Sequence, residues 1–395
     1  MSRRLLRSHH LTSQGLLLTL GLALGTALIG ACGESDGGSP SGTPDASTQV
    51  DAGDDPDSGA DAEPSDSGLP DADIPPDLPL ELEFTTPPVD NLPDGARFAR
   101  DVAYGAHSQQ VMDVFLPASD APTGALIYFH GGGFVNGSRV DAYSGSGNAV
   151  RRTLESGAAW IGVDYRLLSP AGVEDEGVIK SLRDCARALQ FVRRHAEELN
   201  IDAPRVGVYG SSAGAGASLW LAYHPDMARP GGADRVGQES TRPIRAVALS
   251  TQATYDLMRW APDIFQGSFP YVTNDLLLTQ PALRRQIVQF YGLDGALIDD
   301  AAALKAKLES AEVTAYAAGL DMLDLMSSDD PATYVDNPAS NAAPTEPGFD
   351  LLHHPQHARA LHDAAGSSGA DVQVHAPAID LGTGRDPISF LLEAM

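Results

Sequence analysis

Short, continuous apolar runs occur at residues 125–129 and 158–163, and further strand-like segments at 205–209, 246–250, 333–335 and 371–375. Runs of this length predict strands covered on both faces, because a half-exposed strand would alternate apolar and polar positions. Residues 111–117 do alternate and end in Pro117, which predicts an edge-side strand. Helical periodicity fills the gaps between runs. Over 175–199, Ile179, Leu182, Ala186, Leu189, Phe191 and Val192 fall on one broad face. A helix of small residues is expected at 213–223, one with proline in its first turn at 355–365, and a closing helix at 386–395. The alternation breaks between about 255 and 326, where only helix-like stretches occur, notably 281–291 and 301–325. An insertion of that size between two strands predicts a cap over one end of the sheet. The pattern therefore predicts the α/β class: a mostly parallel central sheet, helices on both faces, and a helical cap insertion.

Two glycine clusters sit directly behind apolar runs. Gly210-Ser211-Ser212-Ala213-Gly214 follows the run at 205–209 and precedes the small-residue helix. A Gly-x-Ser-x-Gly turn between strand and helix presents a serine hydroxyl at a sharp corner, and its glycines permit the close approach of strand and helix. His130-Gly131-Gly132-Gly133-Phe134 follows the run at 125–129. Glycines there let backbone N–H groups turn toward a developing negative charge. Each motif alone also fits an ordinary glycine turn. Their pairing, in this order and each at a strand end, points to a single nucleophile-and-oxyanion architecture.

The N-terminal eighty residues do not follow the folded pattern. Arg3, Arg4 and Arg7 precede an apolar run from Leu16 to Ala31, closed by Ile29-Gly30-Ala31-Cys32. This predicts a lipoprotein-type signal over 1–31, with Cys32 as the lipidated residue that anchors the mature chain at a bacterial envelope, the outer membrane being expected from Gly33 at the next position. Residues 33–80 hold thirteen Asp and Glu and no Lys or Arg, among Gly, Pro, Ser and Ala. Such a segment lacks the apolar surface to offset its ordering entropy, so 32–80 is expected to be an acidic tether and 81–395 the folded domain. The leader contributes +3 and the tether −13 to the chain's −27, so the folded part is acidic in its own right. A nucleic-acid partner is thereby disfavoured. Cys185 is the one cysteine besides Cys32, which excludes a disulfide within the folded domain. The histidines lack metal-ligand spacing; His353, His354, His357 and His362 read as solvated helix histidines rather than ligands, and no metal or cofactor is expected.

From the two glycine motifs, together with Gly162-Val163-Asp164-Tyr165-Arg166-Leu167 and Arg183-Asp184, the chain resembles the α/β-hydrolase superfamily. Within it, the likeness is to carboxylesterases of the hormone-sensitive-lipase-like and feruloyl- or acetyl-xylan-esterase-like type. The resemblance covers about residues 100–250. It implies an α/β-hydrolase fold and an esterase acting on small or carbohydrate-linked acyl esters. It implies Ser212 as nucleophile, with the N–H groups of Ala213 and of two among Gly131, Gly132 and Gly133 holding the oxyanion. His130, Asp164, Tyr165, Arg166 and Asp184 read as structural, His130 tying down its loop and Asp184 pairing the charged strand end.

The family pattern also calls for an acid after the seventh strand and a histidine after the eighth. Asp350 is the expected acid, with Asp336 nearer the strand end. The histidine position holds 377–382, without a histidine. Three readings stay open. His353 or His354, on the loop 350–355, substitutes, His353 being favoured because His354 abuts the proline turn. Alternatively His375 serves after a register change. In the third reading no triad histidine exists and activity is lost or much reduced, leaving a non-catalytic lipoprotein that binds a ligand or partner on this scaffold. Outside these three stands an unrecognised base such as Asp380 working through water. The distance from Ser212 Oγ to the nearest imidazole nitrogen separates these: about 3 Å favours the enzyme and more than about 8 Å the binder.

Overall fold

The computed structural model describes residues 79–144, 147–344, 346 and 348–395. The leader, Cys32 and nearly all of the tether lie outside the described residues. Nine strands occur: β1 (Phe84–Thr85), β2 (Arg97–Ala103), β3 (Val111–Leu116), β4 (Thr123–Phe129), β5 (Ala159–Val163), β6 (Ile201–Ser211), β7 (Ala246–Leu249), β8 (Thr333–Asp336) and β9 (Val372–His375). They form one sheet in the order β1-β2-β3-β5-β4-β6-β7-β8-β9. β1 to β3 join the sheet antiparallel, and every pairing from β4 onward is parallel.

The expectation that 111–117 forms an edge-side strand is corrected. β3 is third from the edge and almost wholly buried. Its cover, β2, hides from periodicity because it carries Arg97, Arg100 and Asp101, and because a register shift between Ala99 and Val102 interrupts its pairing. Pro117 falls just outside β3, where its missing N–H costs nothing.

Ten α-helices accompany the sheet among the described residues: α1 (Asn148–Glu155), α2 (Ile179–Arg194), α3 (Ala213–Tyr223), α4 (Asn274–Leu278), α5 (Pro281–Phe290), α6 (Ala301–Leu308), α7 (Ala311–Ala318), α8 (Met322–Leu325), α9 (Pro355–Ser368) and α10 (Pro387–Leu392). One sheet face buries Trp160, Tyr209, Tyr334 and Val247 against α1 and α10. The other buries Ile127, Val208, Ala248 and Val335 against α2, α3 and α9. Alternate residues of each strand serve the two faces, which is why the runs read as continuous hydrophobicity.

The cap consists of α4 to α8, preceded by a π-helical turn, Trp260–Phe265. The single helix-like stretch expected at 301–325 is three helices. Ser310 accepts from the Val313 N–H and Asp321 from the Leu323 N–H, so side-chain caps restart the helix twice.

Candidate active site

The C-terminal ends of the parallel strands carry the site. β6 runs directly into Ser212, held at φ 54° and ψ −118°, and α3 begins one residue later. The glycine requirement is steric. A Cβ on Gly210 would meet the Gly214 carbonyl carbon at 2.4 Å, and one on Gly214 would meet the Phe129 oxygen at 2.0 Å. The oxyanion-type loop packs on the same corner: a Cβ on Gly131 would lie 3.0 Å from the Ser211 oxygen and 3.4 Å from Ser212 Cβ. Gly132 and Gly133 take positive φ values of 105° and 64°. Gly133, Ser212 and Ala213 line one cavity together. Ala213 opens α3, so its N–H has no acceptor within the helix.

Ser212 Oγ lies 2.8 Å from His353 Nε2. On the far side of that imidazole, Nδ1 lies 2.7 Å from Asp350 Oδ2. The three residues expected from the sequence as nucleophile, base and acid thus form a continuous hydrogen-bonded chain. The second oxygen of Asp350 accepts from the N–H groups of Leu352 and His353, at 2.9 and 3.2 Å. Burial opposes ionisation of Asp350, but the bonds from His353 and the two N–H groups outweigh it and hold the carboxyl below its usual range.

The other two imidazoles considered for the role are engaged elsewhere. His354 is the N-cap of α9: its Nδ1 accepts from the Gln356 N–H and its Nε2 donates to the Ala342 oxygen, 3.1 Å away. His375 Nδ1 pairs with Asp336 Oδ1 at 2.7 Å. β9 lies three strands from β6, about 14 Å at the usual strand spacing. His375 and the nearer candidate acid, Asp336, therefore form a separate pair at the last two strand tips.

His130 stacks on Tyr165, its Nδ1 lies 2.7 Å from the Gly131 oxygen, and its own carbonyl accepts from the Tyr165 hydroxyl. Burial keeps its pKa low, so the ring is a neutral loop brace. Arg166 Nε and Nη2 both reach Asp184, at 2.9 to 3.2 Å.

Over the serine, the cap closes a cavity of about 200 Å³. Phe134, Leu168, Tyr255, Trp260, Leu278 and Ile287 are among its walls, and among the described residues no charged side chain lines it. Its amides are largely engaged with backbone: Gln252 with the Leu352 oxygen, Asn274 with the Met258 oxygen and Gln289 with the Ser169 oxygen. Apart from Phe134, which belongs to the glycine-loop motif, the sequence singled out none of these wall residues, because they come from four separate stretches of chain. Among the described residues, no cluster of His, Cys, Asp and Glu is arranged to hold a metal ion.

The BD-FAE family model matches residues 112–343. The chain belongs to the BD-FAE family. The part matched to BD-FAE holds the oxyanion-type loop and Ser212 and stops before Asp350 and His353. The chain is 34% identical over 122 residues to "Carboxylesterase patB" of Penicillium expansum, covering 29% of this chain and 22% of that one. It is 32% identical over 117 residues to "Esterase LipI" of Mycobacterium tuberculosis, covering 28% and 32%. The match thus spans less than a third of the length of these curated relatives. Among solved structures, a bifunctional GH43-CE protein of Bacteroides eggerthii aligns with a TM-score of 0.50 at 14% identity, over 75% of this chain and 38% of that one. This BD-FAE protein has the α/β-hydrolase fold.

Proposed function

We propose that the protein is a carboxylic ester hydrolase acting through an acyl-serine intermediate on Ser212. The observation that carries the proposal is the hydrogen-bonded chain Ser212–His353–Asp350 beside a glycine loop and an apolar cavity. His353 Nε2 takes the proton from Ser212 Oγ as the oxygen attacks the ester carbonyl. Asp350 holds Nδ1–H and stabilises the imidazolium that forms. The Ala213 N–H, with N–H groups of Gly131 to Gly133, stabilises the oxyanion. The imidazolium then protonates the departing alcohol, and water repeats the sequence in reverse to release the acid. The uncharged cavity favours an apolar acyl group, with a sugar or other polar alcohol left outside. The carboxylesterase names of the relatives agree with this reading.

The test is covalent. An aryl phosphonate ester is expected to label Ser212 in the wild type, and Ser212→Ala to abolish both labelling and p-nitrophenyl butyrate hydrolysis. A wild type that neither labels nor hydrolyses a series of p-nitrophenyl esters from acetate to decanoate would favour the non-catalytic binder.

We further propose that Cys32 is lipidated and that the acidic segment 33–80 holds the domain away from an envelope membrane, the apolar run and Cys32 being the support. Cys32→Ser is expected to move the protein from the membrane fraction to the soluble fraction and to abolish incorporation of labelled palmitate. A wild-type protein that takes up no palmitate would refute the anchor.

A further inference from the structure

Asp350 and His353 lie three residues apart in one turn, so the acid–base pair is a local unit. What must be set from outside is the place of that turn relative to Ser212, which lies 141 residues away in sequence. The turn's own N–H groups at 352 and 353 are taken up by Asp350. Its carbonyls point elsewhere, and three consecutive ones meet three donors from different elements. The Leu351 oxygen accepts from His357 Nε2 at 3.0 Å, the residue lying on α9. The Leu352 oxygen accepts from Gln252 Nε2 at 2.9 Å, from the segment after β7. The His353 oxygen accepts from Asn337 Nδ2 at 3.0 Å, from the residue following β8.

All three donor residues are buried: His357 and Asn337 are 0% exposed and Gln252 is 6% exposed. Buried polar groups without partners are costly, so each must serve a defined bond. His357 serves two. Its Nδ1 accepts from the Ala253 N–H at 3.2 Å while Nε2–H donates to Leu351, an arrangement that fits only the neutral Nε2–H tautomer. The segment after β7 therefore grips the turn twice, directly through Gln252 and by way of Ala253 and His357. That segment continues β7, the strand beside β6, and the Ser212 N–H itself bonds to the Leu249 oxygen. The rigid sheet that carries the serine thus also fixes the turn that carries the imidazole.

We propose that Gln252, Asn337 and His357 are positioning residues whose donors to the 351–353 carbonyls set the Ser212–His353 contact. The inference rests on the esterase reading above. An offset of about 1 Å between reacting groups can cost about a hundredfold in rate. The test uses purified full-length protein, p-nitrophenyl butyrate kinetics and thermal melting. Asn337→Asp keeps shape but turns a carboxylate oxygen toward the carbonyls of His353 and His354, both of which accept from Asn337 Nδ2, and His357→Phe keeps a ring but removes both bonds. Each is expected to lower kcat about 10- to 100-fold with KM within about twofold, and phosphonate labelling of Ser212 should slow in step. His357→Gln, which retains a donor, should recover most of the loss. Gln252→Glu gives an independent reading should either of the first two fail to fold. The clamp is refuted if the folded variants keep wild-type kcat while their melting temperatures fall, or if Gln at 357 is as impaired as Phe. Those outcomes leave the esterase reading standing, whereas an inactive, unlabelled wild type overturns that reading itself.

Discussion

His353→Ala is expected to lower kcat by about four to six orders of magnitude, with the fold intact. Losses of that size accompany removal of the base from serine hydrolase sites, because an unassisted serine hydroxyl is a poor nucleophile at neutral pH. Asp350→Asn should cost about 10⁴-fold, since an amide no longer holds the imidazole in the required tautomer or balances its charge. His375→Ala serves as the control and should retain wild-type turnover, its imidazole being paired with Asp336 three strands away from the serine strand. Residual hydrolysis in His353→Ala would come from the oxyanion groups and the cavity alone. Steady-state kinetics on all three variants, with circular dichroism to confirm folding, checks this. Equal activity in His353→Ala and wild type would mean that the observed imidazole is not the base.

The second large effect concerns acid. Burial against Trp260 and Phe265 denies His357 a charge and pulls its pKa from 6.5 to about 3, with the neighbouring His354 and His353 acting in the same direction and the Leu351 bond and Asp350 against it. In the unfolded chain the same group titrates near its ordinary value. Between those two pH values the unfolded state binds the extra proton, so stability falls as pH falls, beginning near 6.5 and levelling off near 3. One such group costs about 1.4 kcal/mol per pH unit, or about 2 kcal/mol at pH 5, corresponding to a melting temperature lower by about 3 °C in a domain of this size. His354, also lowered by burial, adds to the loss. Asp350 acts in a different window: its lowered pKa contributes stability that is lost only below about 3.8. His357→Gln should therefore melt with a shallower dependence on pH between 7 and 5 than the wild type. Parallel melting curves for the two proteins would remove His357 from the explanation.

Much of this arrangement is legible in the chain because its signals are local. The buried strands announce themselves as apolar runs, and the nucleophile corner needs glycines whose absence of side chain is visible in the sequence. β2 was not legible: its charges and interrupted register erase the period that would reveal it. The breaks at Ser310 and Asp321 depended on which of several possible caps is used, and the apolar period runs through them. The imidazole was narrowed to a few positions but not to one. Choosing between His353, His354 and His375 requires knowing which strand tips are neighbours and how far apart they lie. Gln252 and Asn337 gave no signal at all, since their bonds reach 100 and 16 residues along the chain and neither belongs to a local motif.

Under the proposed mechanism, keeping Asp350 and His353 in one turn also changes what the last edge of the sheet is free to become. In the arrangement that the family resemblance implies, the loop after the final strand must hold a histidine to within a fraction of an ångström. In this protein that loop is a short 3₁₀ turn, Pro377–Ile379, closed by a bridge between Ala376 and Leu381. It contributes no atom to the Ser212–His353–Asp350 chain. Natural variation, or an engineer adding a binding module there, can remodel this corner without retuning the chemistry, provided that α10 stays seated on its sheet face. The scaffold has in effect separated the part that must not change from a part that can.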